Sequence, residues 1–161
     1  MTPVKTNTLF LDDEDDTDIA VLFAIHSSQE IFRVAYLLNK YLELGLARTD
    51  QDVDLRHHNG MSYHPLYHFF NQRDLLDCYL VSNRAKATVE NTDAQPSLFM
   101  GSSGFHNFLV PEYKNVDFFL KIDGTEQSGI FLAQLKKIKP ITAIYSIDIA
   151  GLKSYKNLIF D

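Results

Sequence analysis

The chain has no tryptophan, one cysteine, seven glycines and five prolines in its 161 residues. A lone Cys78 cannot close an intramolecular disulfide, and no charged stretch with an apolar core and a small-residue cleavage site opens the sequence. Both absences fit a reducing compartment, and a cytoplasmic protein is the expectation. No apolar run reaches the roughly 20 residues that a membrane helix needs; even "IAVLFAIHSS" is interrupted by His26 and two serines. A basic excess is also missing, because the net charge is -6. Nucleic-acid partners select basic surfaces, so neither nucleic acid nor a membrane is expected as a partner. The lysines at 136, 137 and 139, with Lys153 and Lys156, read as solvated chain termini of local elements.

What is present is enough apolar material for a core. With 45% hydrophobic residues, the whole chain 1–161 is expected to form one domain without disulfides or a structural metal. Residues 1–8 are expected to fray.

The pattern of elements gives the fold class. Leu9–Leu11 and Ile19–Ile25 have strand composition on either side of an acidic run, and the second lacks alternation, as a strand buried on both faces does. "SSQEIFRVAYLLNKYLELG" reads as a helix, with Ser27 and Glu30 as a capping box and Gly45 as a left-handed stop. Its apolar stripe is Ile31, Val34, Ala35, Leu38 and Leu42. Ala47 to Pro65 reads as a loop or a loosely paired ribbon, and "LYHFFNQ" with "LLDCYLVSN" as a hairpin. Residues 84–107 read as a mobile loop. "VDFFLKIDG" alternates as a strand, "TEQSGIFLAQLKKIKP" is a second helix that Pro140 ends, and "ITAIYSIDI" is a last strand. Two helices and five or six strands predict an α+β two-layer sandwich: a mostly antiparallel sheet with both helices packed on one face.

"VPEYKNVDF" is the most distinctive stretch. Through Pro111, Glu112, Val116 and Asp117 it resembles the signature I-P-E-x-x-x-V-D-Y of the bacterial IPExxxVDY family, with Val110 in place of Ile and Phe118 in place of Tyr. Similar stretches are "IHSS", "AYLLNKYL", "FFLKIDG", "YSID" and "NLIF", so the resemblance runs from Ile19 to Phe160. It implies a single bacterial cytoplasmic domain. It brings no established activity, cofactor or site.

The residues themselves give two readings of that stretch. Glu112 and Asp117, with His26, would form the acid and base groups of a small hydrolase or transferase if the three converge. Otherwise Glu112 bonds turn amides and Asp117 pairs with Lys121 or Arg33, which is the favoured reading. The acidic run Asp12–Asp18 lacks the glycine and the terminal glutamate of a calcium loop and reads as a solvated turn. His57, His58, His64 and His68 cluster in sequence, but His64 and His68 on a strand stand about 13 Å apart, too far for one ion. No metal or other cofactor is implied. "GSSGF" fails the spacing of a nucleophile elbow, and Cys78 reads as a small buried hydrophobe.

A ligand cleft is expected where the first buried strand meets the first helix, at His26 and Ser27, near Tyr145, Ser146 and Asp148 of the last strand. The aromatic residues Tyr63, Tyr67 and Phe69 are expected to face a protein partner, because so short a ribbon cannot bury them all. The leading expectation is thus a non-enzymatic binding or adaptor domain for a protein or an anionic ligand. Pairing of an exposed strand edge with a second copy, giving a homodimer, is the third.

Overall fold

The computed structural model describes residues 20–58, 60–88, 106–124 and 128–160. The expected strand Leu9–Leu11, the frayed start, the acidic run and "GSSGF" lie outside the described residues.

Ten strands and two helices are present among these residues. They are β1 (Ala20–His26), α1 (Ile31–Leu42), β2 (Ala47–Arg48), β3 (Val53–His57), β4 (Gly60–His64), β5 (Leu66–Asn71), β6 (Leu76–Ser82), β7 (Arg84–Thr88), β8 (His106–Phe108), β9 (Phe118–Asp123), α2 (Ser128–Leu135) and β10 (Ala143–Ile147). Short 3-10 turns occupy Pro111–Tyr113, Ile149–Gly151 and Tyr155–Leu158. The protein is α+β, and its strands form two sheets, of order β10-β1-β9-β6-β5-β2 and β3-β4-β7-β8. The described pairings are antiparallel.

The expected sheet is therefore joined by a second one. Its first two strands, β3 and β4, come from the stretch 47–65, read as a loop or a loosely paired ribbon, and β7 and β8 from the two ends of the stretch 84–107, read as a mobile loop. Their pattern is short and their exposed positions are polar, so little apolar periodicity announces them. The two sheets share one long hairpin: β5 pairs with β6 from Leu66↔Val81 to Asn71↔Leu76, while β4 pairs with β7 through Met61↔Thr88 and Ser62↔Ala87. Each arm breaks at a single residue, Pro65 in one and Asn83 in the other.

The six-stranded sheet is buried on both faces along its central strands β1, β9 and β6, while the edge strands β10 and β2 are largely exposed. Phe23 and Ile25 of β1, Cys78 and Leu80 of β6, and Phe118, Leu120 and Ile122 of β9 join a cluster with Val34, Ala35 and Leu38 of α1 and Leu135 of α2. Leu22, Ala24, Tyr79, Val81 and Phe119 join a second cluster, closed by Leu109, Val110, Val116, Leu152 and Leu158. Of these closing residues Leu158 lies in a 3-10 turn, and the others come from the connections around the 3-10 turns. This double burial is why β1 shows no alternation in sequence.

Two details of α1 differ from expectation. Ser27 does not cap it: Glu30 is the residue before the first turn and makes no side-chain cap bond. The Ser27 hydroxyl donates to the Pro140 carbonyl at 2.9 Å and accepts from the Gln29 amide at 3.2 Å, so it fastens the chain leading into β10. Nor does Gly45 stop the helix; Glu43 takes the left-handed conformation, with φ 55°. Gly45 is needed for space, because a Cβ there would sit 2.9 Å from the Phe69 ring.

Asn83, with no exposed surface, is the joint of the hairpin. Its amide N–H donates to the Asp117 carbonyl at 2.9 Å and its carbonyl accepts from the Leu109 amide at 2.8 Å. Its Nδ2 donates to the carbonyls of Tyr113 and Val116 at 2.8 and 2.9 Å, and its Oδ1 accepts from the Val110 amide at 2.9 Å. The expected outcome for Asn83→Ala is a loss of about 3 kcal/mol or more, since three backbone groups around a buried site lose their partner together. Urea unfolding of the variant against the unaltered chain measures it, and a loss below about 1 kcal/mol would contradict this account.

Candidate functional site

The segment Val110–Asp117 begins with Val110 buried and Pro111 opening a 3-10 turn, where its missing N–H costs nothing. The turn presents Glu112 outward. Its Oε1 accepts from the Ser154 amide at 2.9 Å and its Oε2 from the Ser154 hydroxyl at 2.7 Å, which pins the C-terminal segment to the turn. Burial alone would push the Glu112 carboxyl up, but the Ser154 side chain and nearby backbone donors outweigh it and hold the group below its ordinary range. Asp117 points elsewhere. Its Oδ2 accepts from the Ser27 amide at 3.0 Å, and its own amide donates to the Ile25 carbonyl at 3.1 Å.

The two carboxylates thus tie different parts of the chain and do not converge. The expected partners of Asp117 are also different, since Lys121 bonds Asp123 at 3.0 Å, leaving a backbone amide to satisfy Asp117. His26, the third group of the enzymatic reading, faces Tyr145 with Nε2 3.2 Å from the phenol oxygen. Burial, with Tyr113 nearby, raises the Tyr145 pKa. Ser146 is exposed on the edge strand β10, and Asp148 accepts from the Ala150 amide at 3.1 Å to cap the following turn. Of the expected corner, His26 and Tyr145 come together, whereas Ser27 turns towards Asp117 and Pro140.

Ser27 and Asp117 nevertheless line a cleft. It measures about 490 Å³ and lies between the start of α1 and the shared hairpin, with Glu30, Tyr63, Arg84 and Lys86 on its walls. Along β7 the exposed Arg84 and Lys86 alternate with the buried Ala85, so both cations project from one face. Arg84 stacks 5.8 Å from the Phe108 ring centroid, and neither cation forms an ion pair among the described residues. The amides of Ile31 and Phe32 have no hydrogen-bond partner among the described residues either, because Arg33 and Val34 take the Glu30 carbonyl.

The three aromatics expected at an interface divide. Tyr63 is 49% exposed and lines the cleft. Tyr67 is half-buried beneath Arg48, and Phe69 is half-buried against the α1 cluster and Gly45. Their strand, β5, is interior to the large sheet, between β6 and β2. Sequence reasoning missed Arg84 and Lys86, although "RAKAT" alternates with period two. It also missed Phe32 and Tyr36, exposed 59% and 65% on the outer side of α1 and spaced i to i+4 opposite the buried stripe.

The histidines separate as well. His57 and His64 share Ser62, while His68 reaches Asp77 at 2.6 Å in the other sheet and stacks on Tyr79 at 4.5 Å between ring centroids. Among the described residues no three His, Cys, Asp or Glu side chains gather as a metal site. Cys78 is buried, and burial first, then Asp77 and Asp123, push its thiol up to about 12, so it is no nucleophile at neutral pH. No described helix is long and apolar enough to cross a membrane. No family model matches the chain, and no curated protein or solved structure is significantly similar to it.

Removing the Ser154 hydroxyl deletes one of the bonds that holds the Glu112 carboxyl low. In Ser154→Ala the Glu112 carboxyl is expected to titrate closer to its ordinary 4.5 than in the unaltered chain. Side-chain carboxyl NMR reads this directly, and an unchanged titration would show that Ser154 does not hold Glu112 in solution. The linkage has the carboxylate sign: this stabilisation is present above the ordinary pKa and is lost as pH falls through the folded value.

Proposed function

We propose that the chain is a non-enzymatic binding domain of the bacterial cytoplasm, akin to the IPExxxVDY proteins, and that it takes an acidic segment of a protein partner in the cleft beside α1. The observation that carries this reading is the pairing of two cations without ion-pair partners, Arg84 and Lys86, with the exposed Tyr63 on the walls of one cleft. Cations of this kind steer an anionic partner and fix its orientation, and a tyrosine at the same edge supplies contact area. The unclaimed amides at the start of α1 add to the favourable potential. Glu30 and Asp117 also line the cleft, but Asp117 is already engaged with the Ser27 amide. On this reading α1 and α2 form one layer over the large sheet, leaving the small sheet free to act as the binding wall. The enzymatic reading loses its support, because Glu112 lies away from Asp117 and each is held by a different segment.

The test is capture of partners from the protein's own cells, followed by quantitative mass spectrometry. A stoichiometric protein partner that is lost at least roughly tenfold in Arg84→Glu with Lys86→Glu, yet kept in Lys136→Glu with Lys139→Glu, is the expected result. Equal retention by both double variants would overturn the assignment of the cleft. Both pairs are exposed, so neither change should disturb folding.

A further inference from the structure

Behind the cleft wall, β4 sends Ser62 and His64 to the face opposite Tyr63. There His64 Nδ1 lies 2.9 Å from the Ser82 carbonyl oxygen, His64 Nε2 lies 2.9 Å from Ser62 Oγ, and Ser62 Oγ lies 2.8 Å from His57 Nε2. Ser62 and His64 have no exposed surface, whereas His57 is half-buried. A carbonyl only accepts, and this fixes every hydrogen in the chain. His64 carries its hydrogen on Nδ1, its Nε2 accepts from the Ser62 hydroxyl, and Ser62 Oγ accepts from Nε2–H of His57.

One added proton keeps all three bonds, because it can sit on the outer nitrogen of His57, or on His64 Nε2 when His57 holds its hydrogen on Nδ1 and accepts from the Ser62 hydroxyl. A second proton cannot be placed so. Both imidazolium Nε2–H groups would then aim at Ser62 Oγ, the serine hydrogen would have no acceptor in the chain, and two cations would share one buried oxygen. We infer that His57, Ser62 and His64 form a one-proton latch that holds β3 to β4 as far as the Pro65 bend and releases them when both imidazoles are protonated in acid. Release would dismantle the wall that presents Tyr63, yet the latch itself does not depend on what the cleft binds.

The surroundings of His64 support this. Val53 and Leu55 of β3 face it and Ser62, and Ala85 and Ala87 of β7 lie on the same side. Asp54, Arg56, Arg84 and Lys86 alternate to the other side of their strands, and Asn107 of β8, opposite Ala85, is uncharged. The charges that reach it are His57 and Asp52, and Asp52 is paired with Arg48. Burial lowers the His64 pKa most, with His57 in the same sense, against the Ser82 carbonyl and Asp52. A histidine depressed in this way contributes stability that is full above the ordinary 6.5, and that is drained as pH falls from there towards the folded value.

Amide exchange at pH 7.5 and 5.5, corrected for intrinsic rates, tests the latch on the full chain. Residues 53–64 are expected to lose protection by roughly tenfold or more relative to β9 in the unaltered chain, and not in His64→Gln. Equal protection at both pH values, or the same loss in the variant, overturns the inference. Should the variant fail to fold, imidazole nitrogen NMR of the unaltered chain decides. His57 and His64 must not both be imidazolium until strands 53–64 open; two doubly protonated rings while those strands remain protected refute the latch.

Discussion

The architecture depends on how one buried asparagine is satisfied. A hairpin that runs through two sheets must bend, and at the bend its backbone groups leave the ladder. On one arm Pro65 has no amide to orphan, and its carbonyl accepts from the Ser82 amide at 3.1 Å. On the other arm Asn83 needs partners that no neighbouring strand supplies, and the segment from Leu109 to Asp117 provides them. That segment in turn delivers Leu109, Val110 and Val116 to the second core cluster. Bend, motif and core are one cooperative unit, because buried polar groups of this density stabilise only when all are paired.

This gives the Pro-Glu and Val-Asp pairs a common explanation. Each carboxylate ends a connection: Glu112 receives the C-terminal segment through Ser154, and Asp117 receives the turn between β1 and α1 through the Ser27 amide. Pro111 starts the turn that separates them, and Val116 anchors it in the core. Both carboxylates thus act as fasteners between segments of the chain, and Asp117 also lines the cleft between the start of α1 and β7.

Much of the large sheet was legible in the sequence. β1, the β5–β6 hairpin, β9 and α1 stand where apolar runs and helical periodicity place them, since each buries enough surface to leave a pattern. β10 and α2 are present too but largely exposed, and α2 ends at Leu135, short of Pro140. The small sheet was legible only in part, as the paired-ribbon alternative for 47–65. β7 contributes only Ala85 to burial, and β4 buries Ser62 and His64, polar residues that no hydrophobic pattern counts. Asn83 and the partner of the Ser27 hydroxyl escaped for a related reason: side-chain hydrogen bonds that span 27 to 113 residues leave no local trace, as the Ser27 bond to Pro140 illustrates. The candidate site was half legible. Ser27, Asp117 and Tyr63 were singled out and do line one cleft, whereas Arg84 and Lys86 fell inside a stretch read as loop.

The small sheet also explains why its polar core is tolerated. Along β4 successive side chains alternate, so Tyr63 serves the cleft while Ser62 and His64 serve the relay behind it. One strand thereby couples two surfaces. If a partner fills the cleft only when β3 and β4 are closed, its binding must disfavour the doubly protonated pair His57 and His64, and that protonation must weaken its binding by the same factor. An apolar core at these positions would hold the strands with less chemistry but would leave them indifferent to pH. On the proposed latch the serine and the two histidines make the closed wall conditional on proton number, while the asparagine joint ties the other side of the bend to the segment Leu109–Asp117.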